Sequence, residues 1–146
     1  MSRDLEQLTS ALLDAAKKAG AENADAIAVR GTSVSIDVRK GGLEHAERSE
    51  GVDIGLRVLI GQRQANVSAS DTSAETICTL AERAVAMAKE APEDPYAGLA
   101  DADQITTSWD IGAYELADPT DEPLPSTLQE DALAAEATAL EVDGIT

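Results

Sequence analysis

Phenylalanine is absent from this 146-residue chain, and the other aromatic side chains amount to two Tyr and one Trp. A core without large rings must be assembled from Leu, Ile and Val, which number 30, and from the 27 Ala. That is close to the composition at which a highly charged chain stops folding. Basic residues are also scarce, 11 against 28 acids, for a formal net charge of −17. Affinity for phosphate needs clustered Lys and Arg, so a nucleic-acid-binding domain is excluded as the working class. One cysteine, Cys78, cannot close an internal disulfide, and one histidine, His45, cannot complete a zinc finger, so a reducing compartment is the natural setting. The N-terminus, Met1-Ser-Arg-Asp-Leu-Glu, lacks the apolar run of a signal peptide, and no stretch approaches the ~18 apolar residues of a membrane span. The expectation is a cytoplasmic chain with neither a membrane nor a nucleic acid as direct partner.

What charge there is lies unevenly. Residues 1 to 65 hold ten acids and nine bases, residues 66 to 100 six and two, and residues 101 to 146 twelve and none. The first part has the balanced surface of a folded domain, and the last part does not.

Periodicity assigns the elements. Leu5, Leu8, Leu12, Ala15, Ala16 and Ala19 recur at helical spacing, with Ser2 able to cap the start and Gly20 able to supply the left-handed stop. The next fifty residues switch to alternation. Asp25 to Arg30 holds Ile27 and Val29, and Val34, Ile36 and Val38 alternate with polar residues up to a turn at Gly41-Gly42. A two-residue hairpin there sets Arg39 opposite Glu44 and Val38 opposite His45. Val52, Ile54, Leu56, Val58 and Ile60 then alternate into Gly61-Gln62, which fits a type II′ turn. The returning strand pairs Val58 with Ala65, Leu56 with Val67 and Ile54 with Ala69, leaving Arg57, Asn66 and Ser68 on the other face. Thr72 with Glu75 has capping-box spacing, and Ile77, Leu80, Ala81, Ala84 and Ala88 form the buried stripe of a helix ending before Pro92. Beyond it, Asp101 to Pro125 is acidic and irregular and contains Trp109. Ser126 with Gln129, or Thr127 with Glu130, starts a last helix carrying Leu128, Ala132, Ala135, Ala139 and Val142.

The predicted class is α+β: an antiparallel meander of four to five strands with helices packed on one face, and an acidic C-terminal extension with a further helix. In chain order this gives an α/β domain over 1–91, an acidic Pro-containing connector over 92–125, and a helix over 126–146 that begins a second domain.

The strand pair around Val34-Ser-Ile-Asp-Val-Arg-Lys-Gly-Gly-Leu-Glu, the run Gly51-Val-Asp-Ile-Gly-Leu-Arg-Val-Leu-Ile-Gly-Gln-Arg-Gln-Ala and the Ser70-Asp-Thr-Ser helix entry resemble, in that order, the N-terminal region of the TldD/PmbA family. Glu93-Asp-Pro-Tyr-Ala-Gly-Leu-Ala-Asp101 is similar to the PmbA branch, also called TldE. The resemblance implies a cytosolic protein of the group historically called modulators of DNA gyrase, acting in a two-subunit zinc metallopeptidase that trims leader peptides or degrades small unfolded proteins. It implies zinc only in the catalytic partner subunit, whose His-Glu-x-x-x-His helix lies later in the chain, and a TldE branch without a working zinc site. No residue here matches that motif, so no catalytic, cofactor or metal role is carried over. Family chains continue past Val142-Asp-Gly-Ile-Thr146, so the sequence is expected to be an N-terminal fragment. Its expected partners are a TldD-like subunit or its own C-terminal domain, with a hetero- or homodimer at full length and a peptide as the substrate of the whole complex.

Candidate chemistry within the chain is sparse. His45, beside Glu44 and Glu47, supplies one imidazole where a catalytic zinc wants three protein ligands. Cys78 lies near the buried stripe of the second helix with no His nearby in sequence to activate it, which makes it an inert semi-buried thiol. Gly31, Gly41, Gly42, Gly51, Gly55 and Gly61 fall at turns and strand bulges rather than in a phosphate loop. Acid pairs for proton transfer are not distinguishable among so many carboxylates. Two binding features remain: the edges of the meander, which can take an extended peptide, and the turn containing Asp94, Pro95, Tyr96 and Gly98, a candidate partner contact. The competing class is a stand-alone acidic interaction protein, a DNA mimic or gyrase-modulating partner. It requires carboxylates spaced regularly on a rigid surface, whereas these twelve lie in a Pro-interrupted segment.

Overall fold

Helical spacing at the N-terminus forms α1 (Leu5–Ala19), which buries Leu8, Leu12 and Ala16. The structure, a computed structural model, describes residues 4–108, 110 and 112–145, so Ser2 and Trp109 lie outside the described residues. Gly20 ends α1 at φ 101°, and the amide of Ala21 returns to the Ala16 carbonyl at 3.0 Å, the pattern a left-handed C-terminal residue permits. Three strands follow, β1 (Asn23–Arg39), β2 (Gly42–Ile60) and β3 (Arg63–Ala69), then α2 (Ala74–Glu90) and α3 (Pro125–Leu140). The sheet order is β1-β2-β3. The architecture is α+β, with three strands rather than four or five. Gly31 and Gly51 account for the difference: neither has a positive φ, so each continues an extended strand where a break was expected.

The register of β2 on β3 is the one the alternation predicts, Ile54 with Ala69, Leu56 with Val67 and Val58 with Ala65. Of the two residues between these strands, only Gly61 has positive φ (56°), as a type II′ turn requires. The β1–β2 turn is displaced by one residue. The strands end at Arg39 and resume at Gly42, so Lys40 (φ 53°) and Gly41 (φ 75°) form the turn, both left-handed. Arg39 then faces Gly42, and Glu44 is its diagonal neighbour on the same face, forming an ion pair at 3.4 Å.

Helix starts also move. The N-cap of α2 is Ser73, whose hydroxyl accepts from the Thr76 amide at 3.2 Å, so no Thr72–Glu75 capping box forms. Asp71 decides this, since its carboxylate accepts from the Ser73 amide (2.9 Å), the Ser73 hydroxyl (3.0 Å) and the Thr76 hydroxyl. These bonds, Thr76 foremost, hold the Asp71 carboxyl below the ordinary carboxylate range. In α3, Pro125 occupies the first turn, which places Ser126 and Thr127 inside the helix; neither caps it, and Val142 lies past its end.

Contacts group the chain into two units that cut across its linear order. One contains the chain up to Gly31 together with Gly51–Thr106; the other contains Thr32–Glu50 with residues from 107 onward. In the first, α1 packs on α2 and α2 on β3, around a core of Leu8, Leu12, Ile54, Val58, Ile77 and Leu80 with small Ala81, Ala84 and Ala88. The second unit has no residue in that buried cluster, and α3 has no buried residue. No helix among the described residues is long and apolar enough to cross a membrane.

Candidate partner-contact site

The segment after α2 forms a turn fixed by its own backbone. Within the first unit, the Asp94 amide donates to the Gln62 carbonyl at 2.8 Å, and Arg63 donates to the Lys89 carbonyl at 2.7 Å and pairs with Glu93 at 3.4 Å. Asp94 then closes the turn twice, its carboxylate accepting from the Tyr96 amide (2.9 Å) and its carbonyl from the Ala97 amide (3.0 Å). Asp94 is therefore a positioning group and half-buried, while Pro95, Tyr96 and Gly98 are exposed. The Tyr96 ring is 93 % exposed on this tied backbone. A rigid amphipathic ring on a preorganised turn loses little entropy when it meets a second surface.

The face of the sheet away from α1 and α2 holds a second arrangement. On β1 it is Ala24, Ala26 and Ala28 that pack toward the core, while Ile27 (61 % exposed) and Val29 (49 %) stand on the open face. The small inward residues suit a core already filled by Leu and Ile from α1, α2 and β2. Beside Ile27, a Cβ on Gly55 would lie 2.9 Å from the Ile27 Cγ2, so glycine there is what lets the branched side chain lie across β2. The result is a shallow groove of about 600 Å³ with Ile27, Gly55, Arg57 and Asn66 among its lining. Arg57 grips Asp25 through Nε at 3.0 and 3.1 Å and through a terminal nitrogen as well, which raises the guanidinium pKa above its already high ordinary value. Alternation grouped Arg57 with Asn66 and Ser68, but not with Asp25. The signal was available: Asp25 is two residues before Ile27 and so shares its face.

The remaining candidates do not converge. His45 is exposed, its Nε2 3.4 Å from Glu47. Cys78 is exposed rather than semi-buried, because it is one position, about 100° of helix, past buried Ile77. Among the described residues no three His, Cys, Asp or Glu side chains gather closely enough to hold a metal such as zinc. β1 and β3 are the edges of the sheet.

Residues 24–88 match the family described as PmbA/TldA metallopeptidase domain 1. The Metalloprotease PmbA homolog of Haemophilus influenzae is 33 % identical over 142 residues, covering 97 % of this chain and 30 % of that protein. Metalloprotease PmbA of Escherichia coli O157:H7 is 28 % identical over 139 residues, covering 95 % of this chain and 30 % of that protein. Among solved structures, TldE from Thermococcus kodakarensis superposes with a TM-score of 0.67 at 19 % identity, over 93 % of this chain and 30 % of that one. A candidate modulator of DNA gyrase from Bacteroides thetaiotaomicron gives a TM-score of 0.67 at 16 % identity, over 97 % and 31 %. The two structures share the fold. The chain spans about 30 % of the length of the curated relatives it matches. By the matched domain and these relatives, residues 24–88 correspond to domain 1 of the PmbA/TldA metallopeptidase family, and nearly the whole chain is similar to PmbA proteins.

Proposed function

We propose that this chain is the non-catalytic N-terminal scaffold and partner-contact domain of a TldE/PmbA-like subunit, serving a cytoplasmic two-subunit zinc metallopeptidase that processes peptides or small unfolded proteins. The observation that carries the reading is the match of residues 24–88 to domain 1 of a metallopeptidase family, in a chain whose described residues gather no set of metal ligands. Zinc belongs, on this reading, to the TldD-like partner. The acidic extension over 101–146 and the turn at Asp94, Pro95, Tyr96 and Gly98 face either that partner or a C-terminal domain of the same subunit, within a hetero- or homodimer at full length. Exposed Tyr96 on its fixed turn is the anchor.

The test is sedimentation and metal analysis of the purified chain, alone and mixed with a TldD-type subunit. The expected result is association, no stoichiometric zinc and no peptide hydrolysis by the chain alone, with Tyr96→Ala weakening association about tenfold or more. One tightly held zinc per chain, with hydrolysis lost on chelation, overturns the non-catalytic assignment. Unaltered association of the Tyr96 variant removes the turn from the interface.

A further inference from the structure

Within the second unit, α3 is attached by an unusual means. It has no buried residue, and its half-buried positions, Leu128, Gln129, Ala132, Leu133 and Glu136, form one narrow stripe. On the β1–β2 arm of the same unit the half-buried residues are Val34, Ile36 and Val38, alternate positions and hence one face. The specific bonds are ionic or charge-assisted. The Glu136 carboxylate accepts from the Lys40 amide at 2.7 Å and from the Gly41 amide at 2.8 Å, filling the concavity that two successive left-handed residues create. At the other end Arg48 pairs with Glu122, and with Glu50 at 2.7 Å, and these carboxylates raise the guanidinium pKa, Glu122 most.

The two ties have matching spans. From Gly42 to Arg48 a strand advances about 20 Å. From Pro125 to Glu136 a helix advances about 17 Å, with two more residues, Pro123 and Leu124, between Glu122 and Pro125. One tie at each end thus lays α3 lengthwise along the arm, running opposite to β2.

We propose that α3 is a releasable strap: a helix closed along the 32–50 arm by the Glu136 carboxylate at the hairpin tip and by the Arg48–Glu122 pair, and free to open without unfolding the helix-covered sheet. Glu136 answers the two turn amides that no strand ladder can use, which explains a left-handed Lys at position 40. An exposed ion pair is screened by salt and a thin apolar stripe adds little, so the closed state is poised near release.

Amide hydrogen exchange on the 146-residue chain tests this, comparing wild type with Glu136→Gln and Arg48→Gln. Both side chains lie outside the buried core, and the amides of α1 and α2 serve as the internal control for folding. The expected result is that Glu136→Gln accelerates exchange in α3, and at Lys40 and Gly41, by about tenfold or more, with α1 and α2 unchanged. Raising salt from about 0.01 to about 1 M, which shortens the Debye length from about 30 to about 3 Å, is expected to accelerate α3 in the wild type and much less in Arg48→Gln. The strap is overturned if neither substitution nor salt alters α3 exchange, or if α3 exchanges together with α1 and α2 under every condition.

Discussion

The two units of this chain are held by different physics. In the first, Leu8, Leu12, Ile54 and Val58 are essentially removed from water and interlock with an alanine-rich face of α2. In the second, α3 buries nothing fully, and the ties seen among the described residues are one carboxylate on two turn amides and the ion pair of Arg48 with Glu122, just before the helix. Burial is cooperative, not screened by salt and proportional to apolar area, whereas exposed ionic ties are local, screened and individually weak. A chain with no Phe has enough large aliphatic side chains for the first kind of stabilisation in one place. The second unit, with ten acids and no base from residue 107 onward, relies on the other kind.

The contrast is broken most forcefully in the core. Leu12→Ala is expected to destabilise by about 2–5 kcal/mol in urea denaturation, since it empties a site with no exposure; a cost under about 1 kcal/mol would mean that the first unit is packed no better than the second. Next comes Gly55→Val. Its new side chain collides with Ile27, and a loss of about 1–3 kcal/mol is expected, largely recovered in combination with Ile27→Ala. If the double variant is as unstable as the single one, the groove is not shaped by that contact. Ser73→Ala removes the α2 cap and is expected to cost about 1 kcal/mol.

Acid sharpens the same cap. Asp71 is held below the ordinary carboxylate range by the Thr76 hydroxyl first and then by Ser73. A carboxyl lowered in the folded state contributes stability above its unfolded value of about 3.9, and that contribution disappears as pH falls through the lower folded value. Denaturation midpoints followed from neutral pH into that acid range should therefore fall less in Asp71→Asn than in the wild type, and parallel curves would remove Asp71 from the cap. The smallest expected effect on global stability is that of Leu133→Ala on the stripe of α3, under about 1 kcal/mol, because half-buried apolar surface is all it removes. A loss as large as that of Leu12→Ala would show that α3 belongs to a core after all.

Much of the first unit was legible in the sequence. The β2–β3 register followed from strict alternation, because a slip by one residue would expose Ile54, Leu56 and Val58 together. The stripes of α1 and α2 followed from 3.6-residue spacing, and Gly20 from its need for a left-handed stop. Local chemistry misled where two neighbours offered the same service. Gly41-Gly42 was the obvious turn, yet Lys40-Gly41 forms it, with Glu136 accepting both amides from ninety-five residues or more away. Thr72 offered a capping box, but Asp71 drew Ser73 and Thr76 into a different arrangement. Of the candidate site, the exposed turn at Tyr96 was visible as turn chemistry. The groove beside Ile27 was not, because alternation in Asp25 to Arg30 is satisfied whether alanine or isoleucine faces the core.

By itself the sequence determined the α+β class, the pairing of β2 with β3, the buried faces of two helices and, through ordered motifs, the family. Each of these rests on a period or a motif that neighbouring residues enforce. Only the tertiary structure decided that Gly31 and Gly51 lie inside long strands, that β1 turns its alanines inward, and that α3 lies with the 32–50 arm. Those choices depend on what stands opposite: glycine is equally at home in a turn or a strand, a small side chain is preferred only where the facing layer is already full, and a carboxylate finds its amides wherever the chain brings them.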